Sequence, residues 1–310
     1  MAVAITDGVF STMDGIFNID KERGVTSHDV VQRVRRLARQ KHVGHAGTLD
    51  PAAEGVLLVC LGKATKVVEY LMDSPKRYCA QVTLGAVTDT GDADGKIIWR
   101  AEAVTVDRTQ VEEALQAFRG RIKQVPPAYS ALKRGGTPLY RLARRGLDLP
   151  REAREVEIYD LSLMAWEPPV AVIDVTCSRG TYVRALATDL GERLGCGAYL
   201  SRLVRLASGR FTLEDAVRME ALASAFAAGR ASDYLYAPDE ALLGTFAVVL
   251  GPESDRLVRH GSSIAIELAS EAAPRHGDLC RAYGLRGDLL AVLRYDSASH
   301  LWQPDKVFVG

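Results

Sequence analysis

Gly44-His45-Ala46-Gly47-Thr48-Leu49-Asp50-Pro51, and the apolar run Gly55-Val56-Leu57-Leu58-Val59-Cys60-Leu61-Gly62 just after it, decide how this chain is read. The run has the length and the glycine borders of a buried strand. The segment before it is a Gly- and Pro-rich turn that sets one imidazole and one carboxylate at the edge of that strand. Alone, Leu49-Asp50-Pro51 is an ordinary turn tripeptide, because Asp bonds its own backbone and Pro presets φ. It becomes a candidate site only through what other segments bring to it.

Outward from this turn, Gly15 to Asp20 alternates as a strand, and Ser27 is placed to cap a helix with Val30, Val31, Val34 and Leu37 on its apolar face. A strand is expected from Tyr78 to Val87, then a turn-rich Thr88–Gly95 segment and a short strand from Lys96 to Arg100. Thr109-x-x-Glu112 reads as a capping box opening a helix through Phe118. Residues 121–154 change character, with Pro126-Pro127, Gly135-Gly136 and many arginines, and read as a basic insertion holding one helix from Leu139 to Arg145. Strands resume at Val156–Trp166 and Val170–Cys177, a helix spans Thr181–Leu194, a strand Ala198–Leu206 and a helix Leu213–Ala228. After Pro238 short strands split by glycines mark a separate small β domain, with Asp278 to Asp296 as its hairpin.

The 310 residues suggest two domains. An apolar content of 47 % and a charged content of 25 % belong to a globular chain, and no apolar run reaches the length that spans a bilayer. Residues 1–14 lack a basic n-region and read as a loose tail rather than a signal peptide. The five cysteines are scattered without a Cys-x-x-Cys pair, which argues against disulfides or a structural zinc and for a reducing cytoplasm. The net charge of zero hides a segment, Arg119 to Arg154, with ten basic residues against two acids. The C-terminal part carries ten acids against seven bases.

Several chemistries are set aside. Gly55 to Lys63 has its glycines too far apart for a phosphate loop, and Ala64 stands where Ser or Thr would hold magnesium. Asp89, Asp92 and Asp94 lack the bidentate Glu of a calcium loop and read as a plain acidic hairpin turn. Six scattered histidines form no metal cluster and no Ser-His-Asp set is recognisable.

Four motifs remain: the Asp50 turn with His45; Lys76-Arg77-Tyr78; Pro126-Pro127-x-Tyr129-Ser130-Ala131-Leu132-Lys133; and Ser178-Arg179-Gly180-Thr181-Tyr182-Val183-Arg184. In this order, with Leu190-Gly191-Glu192-x-Leu194-Gly195-Cys196-Gly197-Ala198, the chain from Asn18 to Leu206 resembles the TruB type of tRNA pseudouridine synthase. The resemblance implies a mixed α+β fold with a largely antiparallel central sheet and flanking helices over 15–236. It also implies a small C-terminal β-barrel of the PUA type over 237–310.

It further implies an RNA isomerase without metal or other cofactor, acting as a monomer on the T-arm of tRNA. Asp50 corresponds to its nucleophile and Arg184 to the partner that keeps the acid ionised. Tyr78 matches the tyrosine lying on the uracil face, Tyr182 a second one near the base, and Leu203 an apolar wall. His45 matches the histidine that fills the space left by the flipped base, and Lys21 lies in the family's first motif with a structural or phosphate-binding part. Lys133, Arg134, Arg141, Arg144 and Arg145 fall in the insertion that grips RNA. Val204 stands where the family commonly has a basic residue. A non-catalytic RNA-binding protein on the same scaffold is the alternative.

Overall fold

The computed structural model describes residues 12–129, 133–134, 137–138, 150–267 and 273–308. Arg141, Arg144, Arg145, the helix expected over 139–145 and residues 1–11 of the expected tail lie outside the described residues.

The first strand, β1 (Gly15–Lys21), leads into α1 (Ser27–Ala38), then β2 (Val43–Ala46) and β3 (Ala53–Leu61). After α2 (Val68–Asp73) come β4 (Lys76–Leu84), the hairpin β5 (Ala86–Thr88) and β6 (Ile97–Arg100), and α3 (Arg108–Gln116). Next are β7 (Gly120–Gln124), the two-residue pair β8 (Lys133–Arg134) and β9 (Thr137–Pro138), β10 (Arg154–Glu167) and β11 (Val170–Cys177). The helix α4 (Val183–Arg193) precedes β12 (Ala198–Ser208), β13 (Phe211–Thr212), β14 (Val217–Arg218), α5 (Met219–Ala227) and β15 (Leu235–Tyr236).

Eleven of these strands make one sheet with the order β14-β1-β3-β12-β4-β11-β10-β7, in which β2, β13 and β15 pair with β3, β12 and β1. The β12–β3 and β1–β14 pairs are parallel and the others antiparallel, so the sheet is mixed and largely antiparallel, as expected. The apolar run that opened the reading is its centre. Successive side chains of a strand face opposite ways. Leu57, Val59 and Leu61 pack with Val30, Val31 and Val34 of α1 and Leu222 of α5, while Val56, Leu58 and Cys60 pack with Val67, Leu71 and Phe211 on the other face. A third cluster sets Leu186 and Leu190 of α4 against Val82 of β4 and Ile173 of β11.

Helix starts differ from the sequence expectation because neighbouring residues compete to cap. Thr26, not Ser27, caps α1, in a reciprocal capping box with Asp29 (3.0 and 2.9 Å). Asp107 and Gln110 do the same for α3, leaving Glu112 to pair with Arg108 at 2.7 Å. The Leu213–Ala228 segment is helical only from Met219, because Val217 and Arg218 pair with β1 instead.

At the C-terminus, β16 (Phe246–Val249), α6 (Pro252–Arg259), β17 (Leu279–Tyr283), β18 (Leu289–Asp296) and β19 (Leu301–Val307) enclose Trp302, Val258 and Leu293. Among the described residues these strands form an open four-stranded sheet, β16-β17-β18-β19, not a closed barrel. It docks on α2 and the turn before it. Tyr70 donates its hydroxyl to Asp305 (2.6 Å), Lys306 pairs with Glu69 (2.6 Å), and Phe308 and Val292 join the cluster around Leu71.

Ser27, displaced from capping, is buried and serves the turn before β3. Its Oγ accepts from Leu49 N at 2.8 Å and donates to Leu49 O at 2.9 Å. Replacing it with alanine leaves a buried donor and acceptor unpaired, so Ser27→Ala is expected to lower stability by about 1–3 kcal/mol in chemical denaturation. A loss under about 0.5 kcal/mol would show that the clamp carries no load.

Candidate active site

Asp50 hangs in the loop between β2 and β3, and its position is fixed from several directions. Ser27 clamps Leu49 on one side, and the Asp50 carbonyl accepts from Ala53 N at 3.0 Å on the other. Pro51 O accepts from Gly24 N at 2.8 Å, tying the turn to the β1–α1 connection. Gly47 takes a φ of +92°, a conformation that an L side chain rarely adopts.

The partner of Asp50 comes from the other end of the domain. Arg184, the second residue of α4, is only 6 % exposed. It places Nη2 2.9 Å from Asp50 Oδ2 and Nη1 3.3 Å from Asp92 Oδ2. The same guanidinium donates to Tyr129 O (2.8 Å) and Thr90 O (3.3 Å). Asp92 is itself held, because its Oδ1 accepts from Thr90 Oγ1 (2.6 Å) and Asp94 N (3.1 Å). The acidic hairpin turn is therefore more than a turn. A bridge between Asp92 and Leu200 of β12 brings it against the sheet, and it supplies the second carboxylate around Arg184.

Burial pushes the Asp50 carboxyl above its ordinary value and the Asp92 charge adds to that, while Arg184 and Lys21 oppose it. The side chain still has 45 % of its surface open to the cleft. With water on that side and a guanidinium at 2.9 Å, the carboxylate is the form present at neutral pH.

Asp50 opens on a recess of about 310 Å³ lined by Tyr78, Tyr182, Leu203, Arg184 and Arg205 among others. Tyr78 stands on β4 and Leu203 on β12, next to each other in the sheet. Burial pushes the Tyr78 phenol up, with Arg205 opposing, so it carries its proton at neutral pH. Tyr182 immediately precedes α4, its backbone locked to the Gln124 amide by bonds of 2.8 and 3.1 Å. One acid, the buried cations Arg184, Arg205 and Lys76, and two aromatic rings around a base-sized opening can bind a flat ring and meet an electrophilic carbon with a carboxylate.

The remaining expected residues fall elsewhere. His45 lies on β2, paired with Val59, and its imidazole is pushed below its ordinary value by burial, then by Arg205 and His28. It is not among the residues that line the recess. Lys21 is fully buried and gives its ammonium to the carbonyls of Val25 (2.8 Å), Glu22 (2.9 Å) and Pro51 (3.4 Å). It therefore braces the Asp50 turn from behind rather than meeting a phosphate. Lys133 and Arg134 sit in the two-residue pairing with Thr137 and Pro138. Within the basic segment Arg119 is used on Leu161 O (2.6 and 3.0 Å) and Arg121 faces Glu155 at 3.8 Å, whereas Lys123 and Arg154 are exposed. From the sequence Ser27 is read only as a helix cap and Asp92 only as part of a turn, and Gln124 and Arg205 are given no role. Only Arg205 carried a usable signal, since it follows Leu203 by two residues and so shares its face of the strand.

A mixed sheet thus brings one open carboxylate, its arginine and two tyrosines to one recess. The model of the TruB family pseudouridylate synthase N-terminal domain matches residues 35–183, and that of the tRNA pseudouridylate synthase B C-terminal domain matches residues 184–243. The chain belongs to the TruB family of pseudouridylate synthases. It is 43 % identical over 293 residues to a tRNA pseudouridine synthase B of Geobacter sulfurreducens, covering 94 % of this chain and 96 % of that protein. It is 44 % identical over 298 residues to one from Burkholderia lata, covering 96 % and 91 %. Among solved structures it is similar to a chain of a Cbf5-Nop10-Gar1 complex, with a TM-score of 0.76 and 27 % identity over 95 % of this chain and 85 % of that one.

Asp92→Ala takes away one of the two carboxylates that neutralise Arg184. It is expected to slow single-turnover conversion of substrate by about 10–100-fold, the worth of a hydrogen bond to a charged group. Asp92→Asn removes a negative charge that raises the Asp50 pKa, so the acid limb of the pH–rate profile should move to lower pH. A limb that stays put or moves up would show that Asp92 does not act on Asp50 electrostatically.

Proposed function

We propose that this protein isomerises uridine-55 in the T-arm of tRNA to pseudouridine, with Asp50 as nucleophile. In that reaction the C1′–N1 bond breaks, the uracil turns, and a C1′–C5 bond forms while a proton leaves C5 and one is gained at N1. The observation that carries this reading is the Asp50–Arg184 pair at 2.9 Å on the wall of a recess that Tyr78, Tyr182 and Leu203 complete. A carboxylate can attack and leave again at neutral pH, and the arginine keeps it ionised. Glycoside hydrolysis commonly needs a second carboxyl as acid or base. Here the second, Asp92, is tied to Arg184.

The target base must leave its stack, at a cost of a few kcal/mol. Tyr78 and Tyr182, which line the recess, would return part of that by stacking, and His45 would take the vacated space in the RNA. The 15–236 region is read as the catalytic domain and 237–310 as a PUA-type RNA-binding module, its net acidity limiting how much it adds to binding. The relatives named tRNA pseudouridine synthase B support a tRNA substrate, and the protein would meet it as a single chain in the cytoplasm. Basic residues of 121–154, with exposed Lys123 and Arg154 among them, would supply the phosphate contacts.

Tritium release from tRNA carrying uridine labelled at C5 tests the reading. Wild-type protein is expected to release label from one position and Asp50→Ala to bind the RNA but release none. An active Asp50→Ala protein would overturn the mechanism, and a wild-type protein that binds without release would leave the non-catalytic alternative. Neutralising Arg141, Arg144 and Arg145 together is expected to lower the slope of log affinity against log salt by about 2–3. An unchanged slope would remove that segment from the RNA interface.

A further inference from the structure

We propose, resting on the isomerase reading above, that Arg205 is the positioning residue for Tyr78, holding its hydroxyl against the turn that carries Asp50. Arg205 is 1 % exposed and is one of the largest fully buried side chains of the described protein. It lies directly across the antiparallel β12–β4 pair from Tyr78, so both side chains leave the sheet on one face, about 5 Å apart at Cβ. Its Nε donates to Val56 O at 2.6 Å and its Nη2 to Gly47 O at 3.1 Å. Those carbonyls lie on either side of Asp50, one at the start of its loop and one within β3. Tyr78 and Arg205 both line the recess, and the guanidinium acts electrostatically on the phenol.

Nothing in the packing of β12 requires a cation there. Among the described residues no carboxylate comes within salt-bridge distance of Arg205, whereas Arg184 has two. A buried cation without a counter-ion is costly, and an aliphatic side chain would fill the position without that cost. What the guanidinium adds is a fixed fork of donors. Two tines tie the start of the Asp50 loop to β3, which leaves the rest of the guanidinium to face the phenol across the strand pair. The backbones are locked as well, since Gly55 leaves no room for a Cβ, which would stand 2.3 Å from Arg205 O.

An Arg205 N–H turned to its lone pair would give the Tyr78 hydroxyl a set direction. The cation also favours negative charge on the phenolic oxygen, against the burial, Cys177 and Asp50 that disfavour it. The aromatic ring alone would stack on a base without any of this.

A double-mutant cycle between Arg205→Met and Tyr78→Phe, read by single-turnover tritium release from saturating C5-labelled tRNA, tests the proposal. Each single variant is expected to slow release about 10–100-fold with RNA affinity within about threefold of wild type. The double variant should be no more than about threefold slower than the slower single one, because both remove the same interaction. Arg205→Lys, which keeps the charge and loses the fork, should fall between wild type and Arg205→Met. If Arg205→Met does not fold, the cycle is run with Arg205→Lys and the same non-additivity is expected. Rate losses that multiply, or an Arg205 variant within threefold of the wild-type rate, would overturn the proposal. A wild-type protein that releases no label would instead overturn the functional reading beneath it.

Discussion

The buried guanidinium of Arg184 is the constraint around which the site is organised. A cation this deeply enclosed needs counter-charges and hydrogen-bond acceptors, or its desolvation is not offset. It finds them in Asp50 and Asp92 and in the carbonyls of Thr90 and Tyr129. Those groups come from the β2–β3 loop, the β5–β6 hairpin and the segment after β7. One side chain thus gathers three distant stretches of chain, and the sheet brings each into reach. Removing either carboxylate leaves a partly uncompensated charge, so Asp50, the proposed nucleophile, is also part of what holds the site together.

The sheet does its part through the run Val56–Leu61. Buried on both faces, it fixes the height at which the Asp50 turn emerges. Ser27, Lys21 and Arg205 then bind the turn from three sides, each through backbone carbonyls. A turn so tethered holds its carboxylate with little freedom, which is the preorganisation that a covalent or ion-stabilising acid needs.

Much of this was legible in the sequence. The apolar run, the alternating strands and the helical faces declare themselves by periodicity, and their positions agree with the fold to within a few residues. Asp50 and Arg184 stand out through the motifs around them. Caps were less legible, because Thr26 and Ser27, or Asp107 and Thr109, are chemically almost equivalent and only the emerging chain direction selects between them. Asp92 was hidden because Asp in a Gly-rich turn is explained by turn chemistry alone. Its pairing with Arg184 depends on a bridge to Leu200, more than a hundred residues away in sequence. The closed C-terminal barrel was inferred from resemblance, and the described strands give an open sheet docked on α2.

The central claim is that the charge of Asp50, and not merely its shape or its bond to Arg184, drives the reaction. Asp50→Asn keeps the volume and a hydrogen-bonding oxygen while removing the carboxylate. Single-turnover tritium release by Asp50→Asn at saturating tRNA is predicted to be slower than wild type by at least about 1,000-fold, with RNA affinity preserved. A rate within tenfold of wild type would contradict the account.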